Sequence, residues 1–287
     1  MMSLWKKKNK IGDVSMNKII LLMLFPAVVN AFQTDIQGAY NSSDLDSNSS
    51  VTTYLVGTRY YFNNVSHTNK LFNEVGFLDR VSSLDVTFGK SDFDLSVPSF
   101  GKTTFDGTAY GLGLSYYQGD LYLSGNYFSL ETSSENFDGS STKSYSISPG
   151  YFVNGTSLVF LKYGRSNTSI STEEGKSDEY GIGYKTVFNN INVEATLTQF
   201  TVDGGISTTD RSVVEFVLDY YIRNSLYLGG GYVFYNADGA DNGGSEITLH
   251  AGGLIDKAYS YFLEYSEDIP DVGETATSIS VGAGVYF

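Results

Sequence analysis

The feature that most constrains this chain is a period-two alternation of apolar and polar residues that recurs from residue 33 to the end. In 211–223, Val214, Phe216, Leu218, Tyr220 and Ile222 fall on one face of a strand, while Val213, Glu215, Val217, Asp219, Tyr221 and Arg223 fall on the other. A helix, with its period of 3.6 residues, would scatter both sets around its axis. About 14 such segments can be read, near 33–41, 51–62, 81–92, 104–118, 121–131, 143–152, 156–166, 177–188, 191–202, 211–223, 226–235, 245–255, 258–266 and 276–287. Each is about 9–12 residues long, the length at which a tilted strand crosses a bilayer.

The connections sort into two sets. One is tight: Gly119-Asp120, Asn154-Gly155, Asn189-Asn190, Asn224-Ser225 and Asp256-Lys257. Such pairs supply the positive φ angles of two-residue hairpins. The other set is longer and polar: 42–50, 93–103, 132–142, 167–176, 203–210, 236–244 and 267–275. Short turns at one end and longer loops at the other is the asymmetry of membrane-spanning barrels. Inside lipid every backbone donor and acceptor must be paired, which forces the strands to close. The expected fold is therefore all-β: a transmembrane antiparallel up-and-down β-barrel of about 14 strands, with 12 or 16 as alternatives.

Composition agrees. Charged residues are 17%, against about 25% in soluble domains. Tyr (23) and Gly (31) are abundant and Pro (4) is scarce, as suits strands that are apolar on one side and polar on the other. The absence of Cys excludes disulfide frameworks, thiolate metal sites and cysteine nucleophiles. A net charge of −14 leaves no basic footprint, so nucleic acid is excluded as a partner.

Residues 16–31 read as a secretory signal peptide: Lys18 is basic, Ile19 to Val29 is apolar, and Val29-Asn30-Ala31 resembles a cleavage site. The apolar run is too short for a transmembrane helix. Residues 1–15 fall outside that pattern, and translation is expected to begin at Met16. Residues 1–31 are thus expected to be removed, leaving 32–287 as one barrel domain in the bacterial outer membrane. The removed part carries five Lys and Asp13, so the mature charge falls from −14 to −18.

One connection breaks the pattern. Segment 63–80, NNVSHTNKLFNEVGFLDR, lies by parity on the short-turn, periplasmic side, yet it is long. Leu71, Val75 and Leu78 recur at i, i+4 and i+7, which predicts one or two turns of helix able to pack in the barrel mouth. At the other extreme, the chain closes on Val281, Ala283, Val285 and Phe287 along one face. Val285, Tyr286 and the terminal Phe287 look like the C-terminal signal read by outer-membrane assembly machinery.

Together these features resemble the Gram-negative porins, and within them a group of general bacterial porins. The pattern covers the whole mature chain. The specific element is Leu71, Glu74, Phe77, Leu78, Arg80 and Ser82, similar to a PLxEAAFLxRxS stretch that follows the second strand in that group. The chain departs from it at Lys70, where Pro is expected, and at Val75-Gly76, which replace two Ala. The resemblance implies passive diffusion of small solutes and names none.

Parity sorts the strand residues. Ile36, Leu112, Leu114, Val193, Leu197, Leu218, Leu249 and Leu263 are expected outward, with Tyr60, Phe62, Tyr116, Phe188, Tyr220 and Tyr259 as an aromatic girdle. Asp35, Asp85, Glu179, Glu194, Glu215, Asp219, Glu246 and Glu264 fall inward with Arg59, Lys162, Lys185, Arg223 and His250. A basic charge facing lipid at the midplane would cost about 2–4 kcal/mol. Eight acids against four bases predict mild cation selectivity, with pairing expected among Glu215, Lys185 and Arg223. With about 14 strands the lumen should hold water, and the short loops suggest a fairly open pore unless 63–80 restricts it.

No catalytic centre, cofactor site or metal site is expected. His67 and His250 lack a nucleophile motif around any Ser, and the 236–242 loop lacks the spacing of a calcium loop. The expected partners are outer-membrane lipid and lipopolysaccharide, the assembly machinery, and small solutes or ions; the residues do not set an oligomeric state. Two alternatives to a diffusion porin stay open. One is a non-conducting structural, adhesive or receptor barrel. The other is a substrate-specific channel, for sugars for example, in which inward Tyr61, Tyr117, Tyr122, Tyr221 and Tyr227 form a stacking track.

Overall fold

The computed structural model describes residues 32–46, 49–65, 70–97, 101–134, 139–170, 173–203, 208–237, 243–256, 258–271 and 273–287. The export signal read at 16–31, His67, Lys257 and the centre of the 236–242 loop lie outside the described residues. The strands are β1 (Phe32–Asp46), β2 (Ser49–Val65), β3 (Ser83–Val97), β4 (Gly101–Gln118), β5 (Leu121–Ser134), β6 (Ser140–Asn154) and β7 (Ser157–Ile170). They continue with β8 (Glu173–Phe188), β9 (Ile191–Asp203), β10 (Thr208–Arg223), β11 (Leu226–Ala237), β12 (Gly244–Ile255), β13 (Tyr259–Pro270) and β14 (Ala276–Tyr286). Each strand pairs antiparallel with its sequence neighbours, and β14 pairs with β1 to close the barrel. That ladder runs from Asp35–Tyr286 to Asp44–Thr277, and Phe287 extends it: its N–H donates to the Thr34 carbonyl and its own carbonyl accepts from Thr34 N–H, both at 2.9 Å.

Every one of the 14 segments read from alternation is a strand, because the closed ladder leaves only two faces and each must keep one polarity. The strands run further than the alternation reaches, mostly at the loop end. The stretch read as loop 93–103 is strand up to Val97 and again from Gly101, and 167–176 is strand up to Ile170 and from Glu173. These extensions are largely polar, although Phe93 packs on Phe105 at 5.8 Å, and hydroxyl pairs lace the loop-end halves of the strands together. Thr142 meets Thr168 at 3.0 Å, Ser144 meets Ser166 at 2.9 Å, and Ser266 meets Ser278 at 2.8 Å. The asymmetry between the two ends therefore resides mostly in strand length, not in long loops. At the tight end, Gly119, Asn189 and Asp256 adopt φ of 61°, 52° and 51°, the left-handed backbone that two-residue hairpins need.

The exposed face is apolar. Leu112, Leu114, Leu197, Leu218, Leu249 and Leu263 are all exposed, while Ile36 and Val193 are half-buried among neighbours. Tyr60, Phe62, Tyr116, Phe188 and Tyr220 ring the tight-turn end, where Tyr259 is partly covered and Tyr261 is exposed instead. A second set, Tyr110, Tyr127, Tyr145, Tyr180, Tyr232 and Phe234, stands further along the strands toward the loops. Leu249, 59% exposed, lies between the two sets on β12. Leu249→Arg is expected to destabilise the folded barrel by about 2–4 kcal/mol in lipid, read as a shift of the denaturant midpoint in vesicles. An unchanged midpoint would place this face away from lipid. The buried side chains, in contrast, gather inside the barrel at the tight-turn end.

Candidate functional site

What fills that end is the long connection between β2 and β3. Leu71 leads into a 3-10 turn, Phe72–Glu74, and then into α1, the single helical turn Val75–Leu78. The predicted spacing holds: Leu71 and Val75 are buried and Leu78 packs beside them. Phe77 belongs to the stretch that carries the resemblance, but nothing in the sequence singles out Phe72. Phe72 meets Tyr221 edge-on at 6.5 Å and Tyr227 at 5.7 Å, while Phe77 sits 5.2 Å from Phe152. Tyr221 is 0% and Phe152 2% exposed. Burying each such side chain contributes about 1.5–3 kcal/mol. Phe72 N–H also donates to the Asn224 carbonyl at 3.0 Å. Asn224 lies between β10 and β11, almost diametrically opposite β2 and β3 in the ring of strands. The segment therefore spans the mouth and folds into it.

Polar contacts fix both legs of this plug. Arg80 donates to the Gly119 carbonyl and Asp120 carboxylate, each at 2.7 Å, and to the Asn154 carbonyl at 3.2 Å. Its guanidinium covers the Phe152 ring at 4.1 Å. Lys70, standing where the resemblance expects Pro, pairs with Asp79 and ties the entering leg to the leaving one. Gly76 lies against the wall: a Cβ there would come within 2.9 Å of the Tyr61 ring. Glu74, 5% exposed, pairs with Lys185 at 2.9 Å, and Lys185 lies 3.5 Å from Glu194 and 5.2 Å over the Phe77 ring. Such a buried pair adds modest net stability, but removing one partner leaves a charge uncompensated.

Above the plug the inner face is polar. Strand register puts Asp35, Arg59, Asp85, Lys162, Glu179, Lys185, Glu194, Glu215, Asp219, Glu246, His250 and Glu264 on the face opposite the exposed apolar set. Arg223 stands exposed at the tight-turn end of β10, past a register shift after Tyr221. The charges divide by wall. On β1–β3, Arg59 pairs with Asp85, and Asp35 lies opposite Arg59 in register. On β7–β9, Lys162 pairs with Glu179, and Lys185 with Glu74 and Glu194. The pairing expected among Glu215, Lys185 and Arg223 does not occur. Register sets Lys185 against Glu194 and Glu215 one strand further on, where it accepts from Thr196 Oγ1 at 3.3 Å.

The wall from β10 to β13 is acidic. Asp219 holds His250 at 2.5 Å and accepts from Asn192 at 2.9 Å. Glu264 faces His250 in register, and Glu246 faces Asp268. Asp268, which accepts from the Tyr235 hydroxyl, was missed because alternation places it in a loop. Glu215, Glu246 and Glu264 are joined to no basic side chain among the described residues; Arg211 lies on the same face near the loop end of β10.

The structure narrows one alternative and one expectation. The tyrosines do not form a track: Tyr61, Tyr221 and Tyr227 are sealed beneath the plug, and only Tyr117 and Tyr122, 5.1 Å apart, border the open space above it. The pore is also not freely open, since residues 70–82 occupy its mouth.

No protein-family model and no curated protein matches the chain. Solved structures do match. The outer membrane protein Omp33 of Acinetobacter baumannii is 14% identical over 90% of this chain and 99% of its own, with a TM-score of 0.51. The anion-selective porin from Comamonas acidovorans is 11% identical over 90% and 99%, with a TM-score of 0.50. The toluene transporter TodX of Pseudomonas putida is 10% identical over 92% and 90%, with a TM-score of 0.52. At these identities the likeness carries the fold alone: this chain has the closed antiparallel barrel of outer-membrane porins and channels.

Proposed function

We propose that the chain is an outer-membrane diffusion channel for small hydrophilic solutes and ions, mildly cation-selective and narrowed at its periplasmic mouth by residues 70–82. The observation that carries this reading is the contrast between the two faces of the closed sheet. Apolar side chains cover the outside, while ion pairs, hydroxyls and uncompensated carboxylates line a lumen with space above the plug. A polar interior with open space above the plug is what a water-filled path needs. The acidic wall supports cation preference, because a low-dielectric surround focuses its field. The anion preference in the name of the Comamonas porin belongs to that protein.

His250, oriented by Asp219, is a lumen-lining group in this reading and takes part in no reaction. Val285, Tyr286 and Phe287 serve as the assembly signal on the strand that closes the barrel, and the surrounding partners are outer-membrane lipid and lipopolysaccharide. Swelling of liposomes loaded with the refolded mature chain tests the path. Arabinose is expected to enter well above the rate of empty liposomes and raffinose much more slowly. No swelling with either sugar, from protein shown to be folded, would overturn the diffusion reading and favour a structural or receptor barrel.

A further inference from the structure

The lumen above the plug holds a cavity of about 370 Å³ lined by rings and charges together. Phe77 of the plug, Tyr117, Tyr122, Phe160 and Phe200 contribute the rings. Lys162 pairs with Glu179, and Lys185, which lies over the Phe77 ring, is shared by Glu194 and the buried Glu74. Glu215 is the lining carboxylate joined to no basic side chain among the described residues, and it accepts one hydrogen bond from Thr196 Oγ1. A carboxylate without a basic partner in a ring-lined cavity is a complementary environment for a cation with an apolar body. The carboxylate takes the ammonium hydrogens, and the ring faces, negative at their centres, attract the charge and cover the hydrocarbon. The volume lies at the small end of ligand pockets, enough for a single-ring molecule.

We infer that this cavity is a binding site for small organic ammonium ions carrying one ring or a short alkyl body, with Glu215 as the charge partner. A neutral ring compound lacks the charge Glu215 needs, and an aryl carboxylate meets repulsion from it. The inference rests on the reading of the lumen as a solute path and names a solute class that the path retains.

Benzylammonium is the probe, with benzyl alcohol and benzoate as its neutral and anionic counterparts. It is titrated into the detergent-solubilised mature chain, and binding is followed by saturation-transfer NMR. Saturable binding of benzylammonium alone is expected, weakened about tenfold or more in Glu215→Gln, as the loss of a charge-assisted hydrogen bond implies. Equal binding of benzyl alcohol, or binding unchanged by E215Q in a barrel that keeps its heat-modifiable mobility, would overturn the site. Potassium current across planar bilayers reads the two claims separately. Current that benzylammonium leaves untouched overturns the site and spares the channel. Saturable, Glu215-dependent binding without any current supports the site and overturns the channel.

Discussion

Replacing residues 66–80 with a short Gly/Asn-containing turn raises single-channel conductance on the order of threefold or more. The segment crosses the mouth from the β2–β3 side to Asn224, so it blocks cross-section that 14 strands otherwise leave open. The barrel survives the change because its closure lies in the strand ladder and in the Phe287–Thr34 bonds, none of which the plug supplies. A short turn suffices because Tyr61 and Ser83 are already register partners. Stability falls, since Phe72, Phe77, Leu71 and Val75 each lose about 1.5–3 kcal/mol of burial and Tyr221 and Tyr227 become wet. Lys185 keeps Glu194 as its partner, which limits the electrostatic cost. Conductance is recorded in planar bilayers on protein whose heat-modifiable mobility shows it folded. Conductance equal to the parent would mean that the narrowest point lies elsewhere in the lumen.

Neutralising the acidic wall removes the cation preference. Glu215, Glu246 and Glu264 are lumen acids joined to no basic side chain among the described residues, with Asp268 beside Glu246, so they contribute most of the uncompensated field on β10–β13. Asp85 and Glu179 are cancelled by Arg59 and Lys162, and Glu194 shares Lys185 with Glu74. The triple substitution to Gln keeps shape and hydrogen bonding and deletes three charges. In a tenfold KCl gradient its reversal potential is expected to move to zero or to the anion side. The matched triple Asp85→Asn, Glu179→Gln, Glu194→Gln also frees Arg59 and Lys162, while Lys185 keeps Glu74, and drives the potential further toward anions. A wild-type reversal potential on the anion side, or one unmoved by the first triple, would contradict the assignment of selectivity to β10–β13.

Alternation made the strands legible because lipid and water impose opposite polarity on the two faces of one sheet. The segment 211–223 declares β10 by itself, and parity also assigned Glu215 and Asp219 to the inner face. The same rule fails where water lies on both sides. The loop ends of β4, β7 and β8 are largely polar on both faces, and that of β3 carries Phe93, Leu95 and Val97 on the parity of the inward Asp85, so 93–103 and 167–176 read as loops although they are largely strand. Asp268 was lost for that reason.

Parity also gives a side chain its face without its partner or its height. It could not show that Lys185 reaches Glu74 on the plug, or that Phe72 meets Tyr221, because these contacts join residues more than a hundred positions apart. The periodicity of Leu71, Val75 and Leu78 announced a helical turn, but only its depth in the mouth reveals that most of the tyrosines of the alternative stacking track are sealed.

The central claim is that the wild-type lumen conducts past its plug and prefers cations. Single-channel recording of the refolded mature chain in a planar bilayer, under a KCl gradient, tests it directly. The account predicts small, discrete, stable current steps with a reversal potential on the cation side. A folded, inserted barrel that passes no current, or one that prefers chloride, would contradict it.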